Sequence, residues 1–255
     1  MASVDVVTTG QGPGLVVLPG TTRRARHYQA LAAALADSYT VHVIERRGRG
    51  KSPAQGDDYG LEVEVGDALE VLEETKSRQL FGHSYGGLIA LHAALRTDLD
   101  RVIVYEPAVS VHGSLAWQWV PRFEELLAAG REARATVHFW HALDLMPAGG
   151  IATAAVWGML RCTAEGRDLR RVLPTVAPEF RVAHELDSEG NRYSAIAAPV
   201  LLLGGGRSPA YIQEVLTLLA DTVPHAKLVM TPEFDHNAPD LGGPAAVAEL
   251  IRAER

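Results

Sequence analysis

The sequence has a single cysteine, no long apolar run and no block of one charge. Cys162 stands alone among 255 residues, which excludes an intrachain disulfide and favours a reducing compartment, so we predict a cytoplasmic protein. No apolar run reaches the roughly 18 residues of a membrane helix, and the first residues lack the pattern of a signal peptide. The net charge of −7 has no extended basic block to offset it, so nucleic acid is not an expected partner.

The remaining composition is that of an ordinary globular chain, in which strand-like and helix-like segments alternate. Hydrophobic residues make up 47%, and the length suits one substantial core. Alternation of this kind predicts right-handed crossovers and the α/β class, with a doubly wound, mostly parallel sheet of about seven or eight strands. The strand-like segments are VDVV, GLVVLPG, TVHVIE, RQLFGHS, RVIVYEP, APVLLLGGG and AKLVM.

One region interrupts the alternation. Between Pro107 and about Ala198 only helical patterns occur, including LAWQWVPRFEELLAAG and ATVHFWHALDLM. We therefore predict a core domain in two parts, residues 1–106 and 199–255, with residues 107–198 inserted as a helical lid.

The motif GHSYG, residues 82–86, matches G-x-S-x-G and lies between a predicted strand and a predicted helix. A sharp turn at this place strains the serine backbone and exposes its side chain, while the flanking glycines relieve crowding. The amides that begin the helix favour negative charge at the same point. Ser84 is therefore the candidate nucleophile.

A serine nucleophile requires a base, and His236 is the candidate. It lies on the loop TPEFDHNAPD that follows the last predicted strand. His83 is adjacent to the nucleophile, but its side chain is expected to point away and pack. His138, His141 and Asp144 have a spacing that could bind a metal, yet no further ligand is evident, so we predict neither a metal nor a cofactor.

The motifs together resemble those of the α/β-hydrolase superfamily over nearly the whole chain. VVLPGT is similar to its oxyanion-loop strand, ERRGRGKS to its D-x-R-G-x-G-x-S segment, and FGHSYGG to its nucleophile elbow. The resemblance implies an eight-stranded sheet with a helical cap, of which the first strand is expected to be absent here. It also implies an oxyanion hole formed by two backbone N–H groups, those of Thr21 and Tyr85.

The resemblance leaves the triad acid to be found. The usual place follows the strand VLLLGGG, where this chain has Ser208 and no carboxylate nearby. A second location known in the superfamily follows the preceding strand, RVIVYEP, which ends in Glu106. A glutamate after an apolar strand needs a partner, and a histidinium would supply one. Asp235 and Asp240 stay open as alternatives, and a Ser208→Ala change is expected to matter little.

The resemblance implies a cofactor-independent serine hydrolase that cleaves an ester, a lactone or a thioester, with carbon–carbon hydrolysis known among relatives. The substrate would be a small, largely apolar molecule. Two other functions remain open: a ligand-binding protein without turnover, and an acyltransferase or cyclase that uses the same serine. A homo-oligomer is compatible with the sequence.

The predicted lid is rich in large apolar side chains, which favour packing first and a substrate wall second. Arg23, Arg24 and Arg26 follow the oxyanion loop, where they could meet an anionic substrate group or remain solvated. The lid side chains are Trp117, Trp119, Phe123, Phe139, Trp140, Met146, Trp157 and Met159.

Overall fold

A computed structural model describes residues 3–145 and 149–254. Its centre is a seven-stranded sheet in the order β1-β3-β2-β4-β5-β6-β7. All neighbouring strands are parallel except β1, which runs antiparallel to β3. The predicted α/β class and strand number are therefore confirmed. The strands are β1 (Asp5–Gly10), β2 (Gly14–Leu18), β3 (Thr40–Glu45), β4 (Gln79–His83), β5 (Arg101–Tyr105), β6 (Val200–Gly205) and β7 (Ala226–Thr231).

The helices that cover the sheet follow the predicted periodicity closely. The helix after β3, for example, buries Leu61, Val65, Ala68, Val71 and Leu72, which recur at intervals of three and four residues. The helices outside the insertion are α1 (Gln29–Leu35), α2 (Leu61–Thr75), α3 (Tyr85–Ala94), α9 (Ala210–Thr222) and α10 (Pro244–Ala253).

Among the described residues, five α-helices lie between β5 and β6 in the chain, in the region where the sequence shows no strand pattern. Their presence agrees with the helical patches in the sequence, but the division into residues 1–106, 107–198 and 199–255 stays a prediction. We call them the inserted helices. They are α4 (Val120–Ala128), α5 (Glu132–Ala142), α6 (Gly150–Cys162), α7 (Ala164–Val172) and α8 (Val176–Glu185).

The core lies on both faces of the sheet, as expected for parallel strands. On β2, Leu15 and Val17 point to the face covered by α1 and α10, while Val16 and Leu18 point to the face covered by α2 and α3. This double burial explains why the central strands read as continuous apolar runs. No helix within the described ranges is long and apolar enough to cross a membrane.

The sheet register decides which loops meet. His83 on β4 pairs with Tyr105 on β5, and Tyr105 pairs with Leu203 on β6. The residues that follow these strands, Ser84 and Glu106 among them, consequently emerge side by side at one edge of the sheet.

Candidate active site

Ser84 occupies a strained turn between β4 and α3. Its backbone has φ 54° and ψ −121°, a region that residues other than glycine rarely adopt. Two hydrogen bonds hold this backbone to the segment around the end of β5: Ser84 N–H donates to the Tyr105 carbonyl at 3.0 Å, and Ala108 N–H donates to the Ser84 carbonyl at 2.9 Å. The position of the serine is thereby fixed relative to β5.

Two glycines make this turn sterically feasible. A Cβ at Gly82 would lie 2.4 Å from the Gly86 carbonyl oxygen, and a Cβ at Gly86 would lie 2.0 Å from the Leu18 carbonyl oxygen. Neither contact is compatible with a side chain. The glycines of the G-x-S-x-G motif therefore allow the turn itself and its close approach to β2.

Glu106 directly follows β5 and is buried, with φ 45°. Its Oε1 accepts hydrogen bonds from Gly205 N–H at 2.7 Å and from Ser208 Oγ at 2.6 Å. Its Oε2 lies 2.7 Å from Nδ1 of His236. The structure thus brings Glu106 and His236 together.

The loop that carries His236 is held by two side chains from neighbouring strands. The Tyr105 hydroxyl donates to the Asp235 carbonyl at 2.7 Å, and Nε2 of His83 lies 2.8 Å from the His236 carbonyl oxygen. Both hydrogen bonds fix the backbone beside the imidazole, so they restrict where the ring of His236 can lie.

His83 is part of this framework, a role that sequence reasoning missed. A carbonyl only accepts, so Nε2 donates to His236, and Nδ1 accepts from the Tyr28 hydroxyl at 2.6 Å. The same hydroxyl accepts from Gly20 N–H at 3.0 Å. Burial, with His236 and Arg23 nearby, holds the pKa of His83 well below its ordinary value. A neutral His83 thereby connects the Gly20 loop with the His236 loop.

The two alternative acids have other partners. Oδ1 of Asp235 accepts from Asn237 N–H at 2.8 Å, within its own loop. Oδ2 of Asp240 lies 2.5 Å from Nε of Arg23. Burial raises the pKa of Asp240, and the positive charge of Arg23 opposes that rise only in part. Glu106 therefore has the contact with His236 that a triad acid requires.

The Gly20–Thr21 peptide has a defined orientation. Nη1 of Arg46 donates to the carbonyl oxygens of Pro19 and Gly20 at 3.2 and 3.4 Å. In a trans peptide the C=O and the next N–H point in opposite directions, so the Thr21 N–H faces away from Arg46. Thr21 lines the same cavity as Ser84. Tyr85 begins α3, where an amide has no intrahelical carbonyl to bind.

Arg46 belongs to a fully buried charge cluster. Its guanidinium donates to Glu64 at 2.7 and 3.1 Å and to Oε1 of Glu179 at 3.1 Å, and Arg49 donates to the same Oε1 at 2.5 Å. Burial opposes ionisation of Glu179, but Arg46 and Arg49 outweigh it and lower the pKa of that carboxyl. Because Glu179 lies on α8, the cluster fastens an inserted helix to the loop after β3.

Two cavities meet at the serine. The large cavity encloses about 390 Å³, and its walls include Ser84, His236, the Gly20–Arg23 loop and side chains of α5 to α8. The small chamber encloses about 40 Å³ on another side of Ser84 and His236. Both could receive parts of one molecule bound at the serine.

The apolar residues predicted in the lid divide between packing and cavity wall. Trp119 and Phe139 pack on each other and on both Phe123 and Phe180, at ring-centroid separations of 4.9 to 6.0 Å. Trp117 stacks on His184 at 4.9 Å, and Trp157 is 54% exposed. Met146 lies outside the described residues. Those that line the large cavity include Phe139, Trp140 and Met159.

The arginines after the oxyanion loop are paired with carboxylates. Arg24 and Arg26 contact Asp168 of α7 at 3.0 and 2.8 Å, and Arg26 also contacts Glu165 at 2.6 Å. His138, considered above as a metal ligand, lies 3.1 Å from the Trp119 carbonyl through its Nε2. These side chains therefore connect protein elements to one another.

Comparisons with known proteins give related hydrolases. A sequence model described as "Alpha/beta hydrolase family" matches residues 15–250. The chain is 26% identical to N-formylmaleamate deformylase of Pseudomonas putida, over 92% of this chain and 86% of that protein. It is 28% identical to pimeloyl-[acyl-carrier protein] methyl ester esterase of Xanthomonas oryzae, over 81% and 91%. An alpha/beta hydrolase structure from Sphaerobacter thermophilus superposes with TM-score 0.82 and 27% identity, covering 97% and 94%.

Proposed function

The chain belongs to the alpha/beta hydrolase family, and on that premise we propose that it is a cofactor-independent serine hydrolase acting through an acyl-enzyme. Its relatives named above are hydrolases, one of them a methyl ester esterase, which supports an enzyme acting on ester-like substrates. The proposed bond is an ester, a lactone or a thioester of a small, largely apolar molecule. The volume of the large cavity, about 390 Å³, is in the range of small-molecule sites.

One observation carries the proposal: the 2.7 Å contact between Nδ1 of His236 and Oε2 of Glu106, beside a strained serine that borders the same cavity. In the proposed reaction Ser84 Oγ attacks the carbonyl carbon, and Nε2 of His236 takes its proton. The Glu106 carboxylate keeps Nδ1–H in place and stabilises the imidazolium. Since Nδ1 of His236 is bound to Glu106, Nε2 of the same ring remains available to take the proton from Ser84.

The proposed oxyanion hole consists of the Thr21 and Tyr85 amides. The first is aimed away from Arg46 by the peptide orientation, and the second belongs to the first turn of α3. Two preorganised N–H groups stabilise the negative charge that develops on the carbonyl oxygen. The leaving alcohol or thiol takes the proton from His236, and a water molecule then attacks the acyl-enzyme with His236 again as base.

Labelling with a fluorophosphonate tests this function. We expect rapid modification of wild-type protein, mapped by mass spectrometry to Ser84, together with hydrolysis of an activated ester. Ser84→Ala should abolish both, because it removes the attacking oxygen. A folded wild-type protein that neither labels at Ser84 nor exceeds Ser84→Ala in turnover would contradict the proposal and favour a non-catalytic binding protein.

Three earlier expectations stay predictions. They are the cytoplasmic location, the capacity to form a homo-oligomer, and the treatment of the inserted helices as a separate lid.

A further inference from the structure

The two cavities at Ser84 differ about tenfold in volume, at about 390 and 40 Å³. They share Ser84 and His236, together with Leu143, Leu145 and Phe180 as common wall. A carbonyl attacked by Ser84 carries two substituents, so the two groups of a substrate would point into spaces of very different size.

The wall of the small chamber is largely apolar, and its polar side chains are those of Ser84, Glu106, Tyr211 and His236. Val109, Leu115, Ile212 and Val215 supply aliphatic surface, and all four are buried. Tyr211 also lines it, and burial together with the Glu106 charge raises the pKa of that phenol, so it is neutral. An ionised substituent would lose its hydration among these apolar side chains, and the Glu106 carboxylate is already bonded to Gly205, Ser208 and His236, so a charge is strongly disfavoured here.

The chamber also limits length. A volume of about 40 Å³ holds roughly one to three non-hydrogen atoms, since a cavity needs about 10–15 Å³ to hold a single water. Its side walls come from the segment after β5 and from α9, two parts of the packed core. A longer substituent would have to displace core side chains, which a close-packed interior resists.

We propose that the small chamber is a binding site for a compact, uncharged, apolar group of one to three non-hydrogen atoms on one side of the scissile bond. The longer remainder of the substrate occupies the large cavity. Val215 sets the length limit from the α9 side. This inference rests on the proposed function, because it presumes that Ser84 attacks a carbonyl.

Two ester series measure the size limit and locate it. One series extends the acyl chain from acetate to octanoate in methyl esters, so that the alcohol is always small. The other extends the alcohol from methyl to hexyl in acetate esters, so that the acyl group is always small. In one series kcat/KM should fall about tenfold or more for each carbon beyond the limit, because one misfit methylene in an apolar pocket alters kcat/KM about 10- to 200-fold. The other series should vary far less.

Val215→Ala tests which residue sets the limit. It should raise the kcat/KM ratio of the next longer ester to the shorter one about tenfold in the restricted series. Val223→Ala is the matched control, a valine equally buried just beyond α9 that does not line the chamber. Its ratio should stay within about twofold of wild type, even if both variants lose some thermal stability.

The outcomes separate the two proposals. If both series are equally tolerant of length, or if Val215→Ala behaves like Val223→Ala, the chamber proposal is overturned while the hydrolase survives. If no ester is hydrolysed and the fluorophosphonate leaves Ser84 unmodified, the hydrolase proposal fails, and the chamber proposal fails with it.

Discussion

The ends of β5 and β6 lie side by side at one edge of the sheet, yet they are built in opposite ways. β5 is followed by Glu106, a buried carboxylate on a strained backbone with φ 45°. β6 ends in glycines and runs into the turn that carries Ser208. The amide of Gly205 and the hydroxyl of Ser208 donate to that carboxylate at 2.7 and 2.6 Å. One strand end supplies the charge, and its neighbour supplies the donors.

This comparison shows how two neighbouring strand ends can build one site together. We propose that the acid expected after β6 is supplied instead by Glu106 at the end of β5, which Ser208 contacts. A buried carboxylate needs hydrogen-bond donors in place of water, and Gly205 of β6 and Ser208 in the following turn supply two. We therefore revise our expectation that Ser208→Ala changes little, because the Ser208 hydroxyl donates to Glu106.

Removal of the charge at β5 should have the largest effect. We predict that Glu106→Gln lowers kcat/KM for an activated ester by on the order of 10³ to 10⁴, because the amide cannot stabilise an imidazolium. Steady-state ester hydrolysis measures this. Asp240→Asn is the matched control, a buried carboxylate on the His236 loop, and should lose less than about tenfold. A larger loss of activity in Asp240→Asn than in Glu106→Gln would indicate that the triad acid is Asp240.

Moving the carboxylate from the end of β5 to the turn after β6 tests the role of the charge further. Ser208 Oγ is 2.6 Å from the Glu106 carboxylate, so an aspartate at 208 places a negative charge beside the side chain that contacts His236. We expect Glu106→Gln combined with Ser208→Asp to recover at least about tenfold of the loss of Glu106→Gln. No recovery would show that the two strand ends are not interchangeable in this chain.

Removal of a donor at β6 should have an intermediate effect. Ser208→Ala is expected to lower kcat about three- to tenfold with little change in KM, because the carboxylate loses one of two donors that orient it. Ser208→Thr keeps the hydroxyl and should stay close to wild type. Equal activity of the alanine and threonine variants would show that the hydrogen bond from Ser208 to Glu106 does not contribute to catalysis. Thermal unfolding of both variants separates this effect from a loss of fold.

The smallest effect concerns His83, which supports the His236 loop from β4. Its pKa lies well below the ordinary 6.5 in the folded chain, so below about pH 6.5 only the unfolded chain takes up this proton. The neutral His83 therefore contributes fully to the free energy of unfolding above about pH 6.5. That contribution is lost as the pH falls towards the pKa of His83 in the folded chain. His83→Gln removes this dependence. Between pH 7.5 and 5.5 we expect the Tm of wild type to fall about 2–4 °C further than that of His83→Gln, corresponding to about 1 kcal/mol.

Differential scanning calorimetry of both proteins at the two pH values checks this prediction. The other buried histidines are common to both proteins and cancel in the difference. Parallel pH dependence in the two proteins would mean that His83 is not held neutral by the fold.

Much of the fold and half of the candidate site could be predicted from the sequence. Strand and helix segments are local patterns of apolar residues, and the strained turn at Ser84 requires its glycines within four positions along the chain. The contacts of Arg46, Tyr28 and His83 could not be predicted, because their partners lie on segments far away in sequence. Arg46 and His83 lie within motifs of the sequence, but the hydrogen bonds of Arg46 to the Gly20 carbonyl and of His83 to the His236 carbonyl have no sequence signature.

The sequence by itself determined the order of strands and helices, the place of the serine turn, and the absence of a carboxylate after β6. These properties depend on neighbouring residues, and local sterics and periodicity decide them. Only the tertiary structure decided that Glu106 meets His236, that Ser208 and Gly205 donate to Glu106, and that two unequal cavities meet at Ser84. Those facts depend on sheet register and on the packing of the inserted helices, which bring together residues distant in sequence, such as Glu106 and His236, 130 positions apart.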